Sequence, residues 1–272
     1  MCKKTIVITG ASSGIGKATA KYFAERGWNV AATMRQPERE RELDEIESIN
    51  LYELDVTVNE SIEKAYESIY SDYGKVDVLL NNAGCGLVGP FELMSDEQIR
   101  RQFEVNVFGI FNVTRAFLPH FRENREGMII NISSMAGKVT VPLTSLYNAC
   151  KFAVEGFSEA LSYEMNQFGI KVKLVEPGRI ATDFRGRSLD LACLKHTDEY
   201  QAYVDNCVGV DRNSRGNGIE PLEAAKVIFE AVNDDKNQFR YVVGDDAKQF
   251  INFKEKNSDE EYMKLIESRY SL

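Results

Sequence analysis

Short apolar runs recur along the chain, each followed by a longer segment whose apolar positions return every three to four residues. The runs are Thr5–Thr9, Val30–Thr33, Leu51–Leu54, Val76–Leu80, Met128–Ile132, Lys171–Val175 and Tyr241–Val243. Several are continuous rather than alternating, the pattern of strands covered on both faces. The longer segments predict helices over Ile15–Arg26, Glu38–Glu47, Ser61–Tyr73, Asp96–Phe121, Ser145–Phe168 and Pro221–Val232. Ser95-Asp-Glu-Gln has the form of a capping box, and Gly27 and Gly169 each close a helix before the next strand. Strand and helix alternating in this way predict an α/β fold: a doubly wound parallel sheet of about seven strands with helices on both faces.

The alternation runs without linker, repeat or shift of composition to about residue 177, and it fades from Phe184 to Gly218. Residues 1–272 are therefore read as a single domain with a flap over the site at about 184–218, since long irregular segments in compact domains are usually lids or binding loops. Among 272 residues, 43% are apolar and 28% charged, enough to bury a sizeable core. The net charge of −9 argues against a broad nucleic-acid or anionic-membrane surface. The opening MCKKTIVITG holds an apolar run too short for a signal peptide, and no stretch approaches the ~20 apolar residues of a membrane span. Five scattered cysteines without a Cys-x-x-Cys pair fit reduced thiols in a cytoplasm. Only His120 and His196 are present, each read as a surface or packed residue, so neither a histidine triad nor a metal site is expected.

Candidate chemistry begins at Gly10-Ala11-Ser12-Ser13-Gly14-Ile15-Gly16, which follows a strand and opens a helix. A turn without side chains lets backbone approach a pyrophosphate, and a helix N-terminus supplies free amides and a positive dipole. The Gly-x-x-x-Gly-x-Gly spacing differs from the commonest dinucleotide fingerprint, and glycines alone also make purely structural turns. The strand-to-helix setting favours the phosphate reading and a Rossmann-type fold.

Tyr147 and Lys151 lie four apart near the start of a predicted helix, so they share one face. A free phenol, with a pKa of about 10, is a poor base at neutral pH. An ammonium about 4 Å away at an effective dielectric of ~20 would contribute about 4 kcal/mol, or about three pKa units downward. Such a pair also arises by chance on amphipathic helices. Context weighs against chance: Ser133-Ser134 follows the strand Met128–Ile132, and ligands bind at the carboxyl ends of such strands.

With Asn81-Asn82-Ala83-Gly84, Tyr147-x-x-x-Lys151 and Pro177-Gly178-x-Ile180-x-Thr182 added to the glycine loop, the chain resembles the short-chain dehydrogenase/reductase family, in its compact single-domain branch. The likeness runs in order from Thr5 to about Thr182, with a weaker echo at Arg240–Ala247. It implies an oxidoreductase that interconverts an alcohol and a ketone or aldehyde by hydride transfer with a nicotinamide cofactor. Tyr147 would be the acid/base, Lys151 its activator, and Ser134, thirteen residues before the tyrosine, the holder of the substrate oxygen. Asn106 matches the family's fourth catalytic position, where its side chain would bend a helix and hold a water beside Lys151. Gly10, Ser12, Ser13, Gly14, Ile15, Gly16, Asp55, Val56, Asn82, Ala83, Gly84, Pro177, Gly178, Ile180 and Thr182 would line the cofactor, with Asp55 against the adenine. The resemblance further implies a homodimer or homotetramer paired through Asp96–Phe121 and Ser145–Phe168. Its hydroxysteroid and retinol dehydrogenase subset suggests a bulky apolar substrate. The alternative function is a cofactor-binding sensor or scaffold without turnover, against which the retained tyrosine and lysine argue.

At the end of the second strand an NAD-specific site usually carries a carboxylate. Here Met34 stands at that position, followed by Arg35, which favours NADP(H) over NAD(H) because an arginine can form charge-assisted bonds to a 2′-phosphate. The rival reading places Arg35 with Arg39 and Arg41 on a solvated helix start, paired with Glu38, Glu40 and Glu42. Leu189, Leu191, Leu194, Tyr200 and Tyr203 of the flap are read either as pocket lining or as packing.

Overall fold

Apolar residues on both faces of each strand require cover on both sides, and the computed structural model of the chain supplies it. It describes residues 3–182, 188–193, 198–213, 218–234 and 236–270. Strands β1 (Thr5–Thr9), β2 (Asn29–Met34), β3 (Ile49–Glu53), β4 (Val78–Asn81), β6 (Gly127–Ile132), β7 (Ile170–Pro177) and β9 (Arg240–Val243) form one sheet in the order β3-β2-β1-β4-β6-β7-β9. Every neighbouring pair is parallel. Along β1 the side chains alternate between two cores. Ile6 and Ile8 join Phe23, Trp28, Val30 and Ile228 on one face, while Val7 joins Leu79, Phe117, Phe121 and Ile129 on the other. Helices α1 (Gly14–Ala24) and α7 (Pro221–Asn233) belong to the first layer. Helices α2 (Asn59–Tyr73), α4 (Gly109–Asn124) and α5 (Ser145–Asn166) belong to the second. Because all seven strands run one way, their carboxyl ends share an edge, where the candidate residues collect.

Four expectations need correction. The helix expected over Glu38–Glu47 is a single 3-10 turn at Pro37–Arg39 followed by a loop. Its physical cause is Glu40, whose Oε1 accepts from the backbone N–H groups of Arg41, Glu42 and Leu43 at 3.0–3.2 Å, capturing amides a helix would need. The helix expected over Asp96–Phe121 is instead α3 (Asp96–Phe103), a π-helical turn at Glu104–Phe108 and α4. The Ser95–Gln98 capping box is present. The expected flap carries regular structure: β8 (Leu189–Leu191) pairs with β5 (Gly86–Val88) as a separate two-stranded sheet, and α6 (Gln201–Asn213) follows. Phe184, Leu194 and His196 lie outside the described residues. Finally, α8 (Asp245–Lys256) and α9 (Asp259–Tyr270) extend the fold beyond the last expected strand. Tyr262 of α9 donates to the Thr140 carbonyl at 2.9 Å, tying these helices to the loop between β6 and α5.

Candidate active site

The glycine loop is built on contacts that leave no room for side chains. A Cβ on Gly10, whose φ is +66°, would lie 2.8 Å from Ala83 Cα. One on Gly16 would lie 2.5 Å from both Asn82 Nδ2 and the Gly10 carbonyl. Asn82 explains the closeness: its Nδ2 donates to the Thr9 and Gly10 carbonyls at 2.8 and 3.1 Å, while the N–H groups of Asn82 and Ala83 donate to Thr9 Oγ1. Ser13 starts α1 without a side-chain cap bond, so the first helical amides are free of that competitor. A Cβ on Gly14 would touch Thr182 Cγ2 at 3.1 Å, which brings the loop after β7 against the same turn. The chain thus offers bare backbone and a helix N-terminus in one place, which fits a dinucleotide pyrophosphate.

Ser134, Tyr147 and Lys151 meet at the end of β6. Ser134 is extended, accepts from the Ala136 N–H at 3.1 Å and donates to the Pro177 carbonyl at 3.3 Å. Its hydroxyl hydrogen-bonds the Tyr147 phenol. Lys151 is buried one helical turn beyond Tyr147 on α5 and donates to the Ile132 carbonyl at 2.9 Å. Its Nζ stands 5.7 Å from the centre of the Tyr147 ring. The electrostatics differ from the sequence expectation of a lowered phenol pKa. Burial pushes the Tyr147 phenol up to about 12, against a pull downward from Ser134. Burial likewise pushes Lys151 down to about 8. Removing each charge from water is the largest cause in both cases, and it favours a protonated phenol beside a weakened ammonium.

Asn106 occupies the π-helical turn, and its side chain is engaged differently from the sequence expectation. Its Nδ2 donates to the carbonyls of Cys85 and Gln102 at 2.8 and 3.0 Å, and its Oδ1 accepts from the Cys85 N–H at 3.1 Å. The amide therefore clamps the strand after Asn82-Ala83-Gly84 to the helix, and a Cβ on Gly84 would meet its Oδ1 at 2.9 Å. The π-turn supplies the extra residue that lets this side chain leave the helical repeat. Cys85 and Cys150 flank the cluster as buried thiols, and burial pushes Cys150 up to about 12, away from nucleophilic character.

At the end of β2, Met34 is buried in the core and Arg35 is exposed, with no ion pair among the described residues. The candidate acids are engaged elsewhere: Glu40 and Glu42 with Lys17, Glu42 also with Lys21, and Glu38 with Arg39. Ala11 N–H donates to the Thr33 carbonyl at 3.0 Å, so the glycine loop lies against this strand end. Asp55 follows β3, and its Oδ1 accepts from the Thr57 N–H and hydroxyl at 2.9 and 2.7 Å. Val56 is buried against Gly109. Gly178 passes Asp246 of α8 so closely that a Cβ would sit 2.3 Å from its Oδ1, and Asp246 accepts from the Arg179 N–H at 2.9 Å. Ile180 bridges to Ile219. Of the flap residues, Leu191 is exposed, Leu189 is half-buried, and Tyr200 donates to Glu92 at 2.7 Å. A cavity of about 120 Å³ lies beside them, lined by Cys85, Gln98, Arg101, Gln102 and Asp190.

Two supports escaped the sequence reading. Asn81 donates to Thr114 Oγ1 at 3.0 Å and to Asn131 Oδ1 at 2.8 Å, and Asn131 donates to Ser158 Oγ at 2.8 Å, a buried ladder joining β4, β6, α4 and α5. The signal was an asparagine in each of two apolar strands, which buried sheets admit only with partners. Asp246 is the other, and its contact across 67 residues leaves no mark in local spacing.

The comparisons agree with this geometry. A family model described as short chain dehydrogenase matches residues 4–190. A 3-ketodihydrosphingosine reductase of Bacteroides thetaiotaomicron is 39% identical over 245 residues, 90% of this chain and 89% of that protein. Retinol dehydrogenase 8 of Bos taurus is 34% identical over 252 residues, 87% of this chain and 80% of its own. A crystal structure of a short-chain dehydrogenase from Streptomyces avermitilis superposes with a TM-score of 0.85 at 35% identity, covering 96% of this chain and 95% of that one. Two further structures carry cofactors. ElxO with NADP bound has a TM-score of 0.73 at 28% identity, with 89% and 96% covered. A 3-ketoacyl-(acyl-carrier-protein) reductase from Brucella melitensis complexed with NADH has a TM-score of 0.73 at 26%, with 89% and 97% covered. Sequence, sheet order and relatives converge on one assignment: this chain belongs to the short-chain dehydrogenases, as an oxidoreductase that depends on a nicotinamide cofactor.

Proposed function

We propose that the chain is an NADP(H)-preferring reductase that converts a bulky apolar ketone or aldehyde to its alcohol, with Tyr147 as the proton donor. The observation that supports this most is the Ser134–Tyr147 hydrogen bond at the end of β6 with buried Lys151 one turn away. The reduced nicotinamide supplies the hydride. Ser134 holds the carbonyl oxygen by its hydroxyl, and Tyr147 Oη gives that oxygen a proton as negative charge develops on it. A phenol held near 12 stays protonated at neutral pH, which suits donation rather than abstraction. Lys151 in its charged form then stabilises the phenolate left behind. Gly10, Ser12, Ser13, Gly14, Ile15 and Gly16 would hold the pyrophosphate, Asp55 and Val56 the adenine, and Asn82, Ala83, Gly84, Pro177, Gly178, Ile180 and Thr182 the rest of the cofactor. Asn106 acts by fixing the Cys85 backbone beside the reacting centre.

An apolar substrate is supported by two relatives whose names specify a sphingoid ketone and retinol, and by Leu87 and Leu189 in the lining of the cavity. The segment 184–218 is proposed as the flap over that substrate. The test is oxidation of NADPH in the presence of long-chain ketones, 3-keto sphingoid bases and retinal, against short polar ketones. Turnover confined to the polar ketones overturns the substrate class, and no turnover with any carbonyl overturns the reductase.

Arg35 carries the cofactor preference. Its exposure beside the glycine loop, with no acidic partner among the described residues, favours a 2′-phosphate over the rival pairing with nearby glutamates. A charge-assisted bond of about 1.5–3 kcal/mol predicts that Arg35→Ala weakens NADPH binding roughly ten- to a hundredfold and leaves NADH binding unchanged. Equal losses for the two cofactors, measured by fluorescence titration, remove the assignment.

A homodimer through the outer faces of α4 and α5 is supported by Phe108 and Phe152, which are 46% and 45% exposed. Phe111 and Phe157, at 4.3 Å between ring centres, continue the aromatic strip. Replacing Phe108 and Phe152 together by Glu is expected to give a monomer in sedimentation, with the far-ultraviolet spectrum kept. The described cysteines are all free thiols, which fits a reducing cytoplasm, and no helix of the described residues is long and apolar enough to cross a membrane.

A further inference from the structure

One turn along α5 from Lys151, two carboxyl groups are buried together. Glu155 stands one turn beyond Lys151 on α5 and is 6% exposed; Glu176, the residue before Pro177 on β7, is 1% exposed. Arg240, the first residue of β9, reaches both: its Nε is 3.0 Å from Glu155 Oε2 and 3.3 Å from Glu176 Oε1. Its Nη2 donates to Glu159 at 2.6 Å, at the solvent margin. The second oxygen of Glu155 and Oε1 of Glu176 make no hydrogen bond, and neither does Ser133 Oγ. Gly137 packs between this cluster and the backbone of Lys151. A Cβ there would meet Ser133 Oγ at 2.7 Å, Glu155 Cγ at 2.8 Å and the Lys151 carbonyl at 3.0 Å.

Two ionised carboxylates sharing one guanidinium in a desolvated site are unfavourable, so the pair retains a proton. Hydrogen bonding decides where. Glu155 accepts from Arg240 Nε at 3.0 Å, while burial and then the charge of Glu155 push Glu176 up to about 7. Against the cost of burial, Cys150, Cys85 and then Glu155 each raise the affinity of the Lys151 amine for its proton. The other groups facing the site are Cys85 and Cys150 beside Lys151, and Lys138 and Glu159 toward solvent. We propose that Glu155 is a positioning residue for the reduction: its carboxylate, paired with Arg240 one helical turn beyond Lys151, holds Lys151 in the charged form that Tyr147 needs.

The proposal rests on the Tyr147–Lys151 reading of the site, so its test reads Lys151 directly, without turnover. In the holoenzyme with isotope-labelled lysine, the Lys151 signal, assigned by its loss in Lys151→Met, is titrated by NMR. Glu155→Gln should lower its midpoint by about one pH unit, and Glu176→Gln should leave it in place or raise it. Arg240→Gln, which invites a second proton onto the pair, should lower it as Glu155→Gln does. A midpoint unmoved by Glu155→Gln, or lowered equally by Glu176→Gln, overturns the proposal. The shared proton has its own readout in denaturant unfolding. An acid raised from 4.5 to about 7 on folding stabilises the chain fully at low pH and loses that contribution as pH rises through about 7. The wild type should therefore lose stability relative to Glu176→Gln between about pH 4.5 and 7, and parallel curves refute the protonated Glu176. Should no carbonyl be reduced at all, the reductase reading fails while these two measurements still decide the carboxylate pair.

Discussion

Tyr147→Phe should reduce carbonyl turnover about a thousandfold, the usual scale of a lost general acid, while cofactor binding and fold stay intact. The ring is half-buried and the substitution keeps it, so packing around α5 is preserved. What goes is the Oη proton, along with the partner of the Ser134 hydroxyl. Ser134 keeps its bonds to Ala136 and Pro177, so the expected stability loss is only about 1 kcal/mol. Single-turnover kinetics with saturating NADPH separate this from a binding defect. A variant that retains more than about a tenth of the wild-type rate would show that the phenol is not the group that protonates the substrate oxygen.

Lys151→Met is expected to silence the enzyme and yet stabilise it near neutral pH. Burial lowers the lysine from 10.5 to about 8, which means folding opposes its charge. For a base depressed on folding, the penalty is absent above about 10.5, grows as pH falls, and is complete below about 8. A shift of that size corresponds to about 3 kcal/mol. Against it stands the bond to the Ile132 carbonyl, about 1 kcal/mol, which methionine cannot make. The net gain is about 2 kcal/mol at pH 7, and toward pH 10.5 it turns into a loss of about 1 kcal/mol. Urea unfolding of both proteins across that range checks the sign. A less stable variant at pH 7 would mean that the ammonium is better solvated than its buried position implies. The expected gain, by contrast, would fit a site that gives up stability to keep a charged group where chemistry needs it.

Much of the fold was legible because parallel sheets write themselves plainly. A strand buried on both faces must be apolar throughout, and Ile6, Val7 and Ile8 divide between the two cores while reading as one run. Elements failed where one polar side chain overrode local propensity. Glu40 takes the amides of residues 41–43 and dissolves a helix that spacing alone supports. Asn106 inserts a π-turn into another by binding Cys85, a partner that periodicity cannot name. The small β5–β8 sheet escaped because its strands are three residues each and lie about a hundred residues apart.

The candidate site divides in the same way. The amino-acid order determined the glycines, Ser134, Tyr147 and Lys151, because each chemical task demands a residue type at a fixed offset from a strand end or along one helix face. The tertiary structure decided their electrical state. Whether an ammonium acidifies a nearby phenol depends on how much water each charge loses and on which carbonyl or carboxylate lies behind it. Those neighbours, Ile132, Glu155, Glu176 and Arg240, come from four separate elements that only the closed sheet brings together.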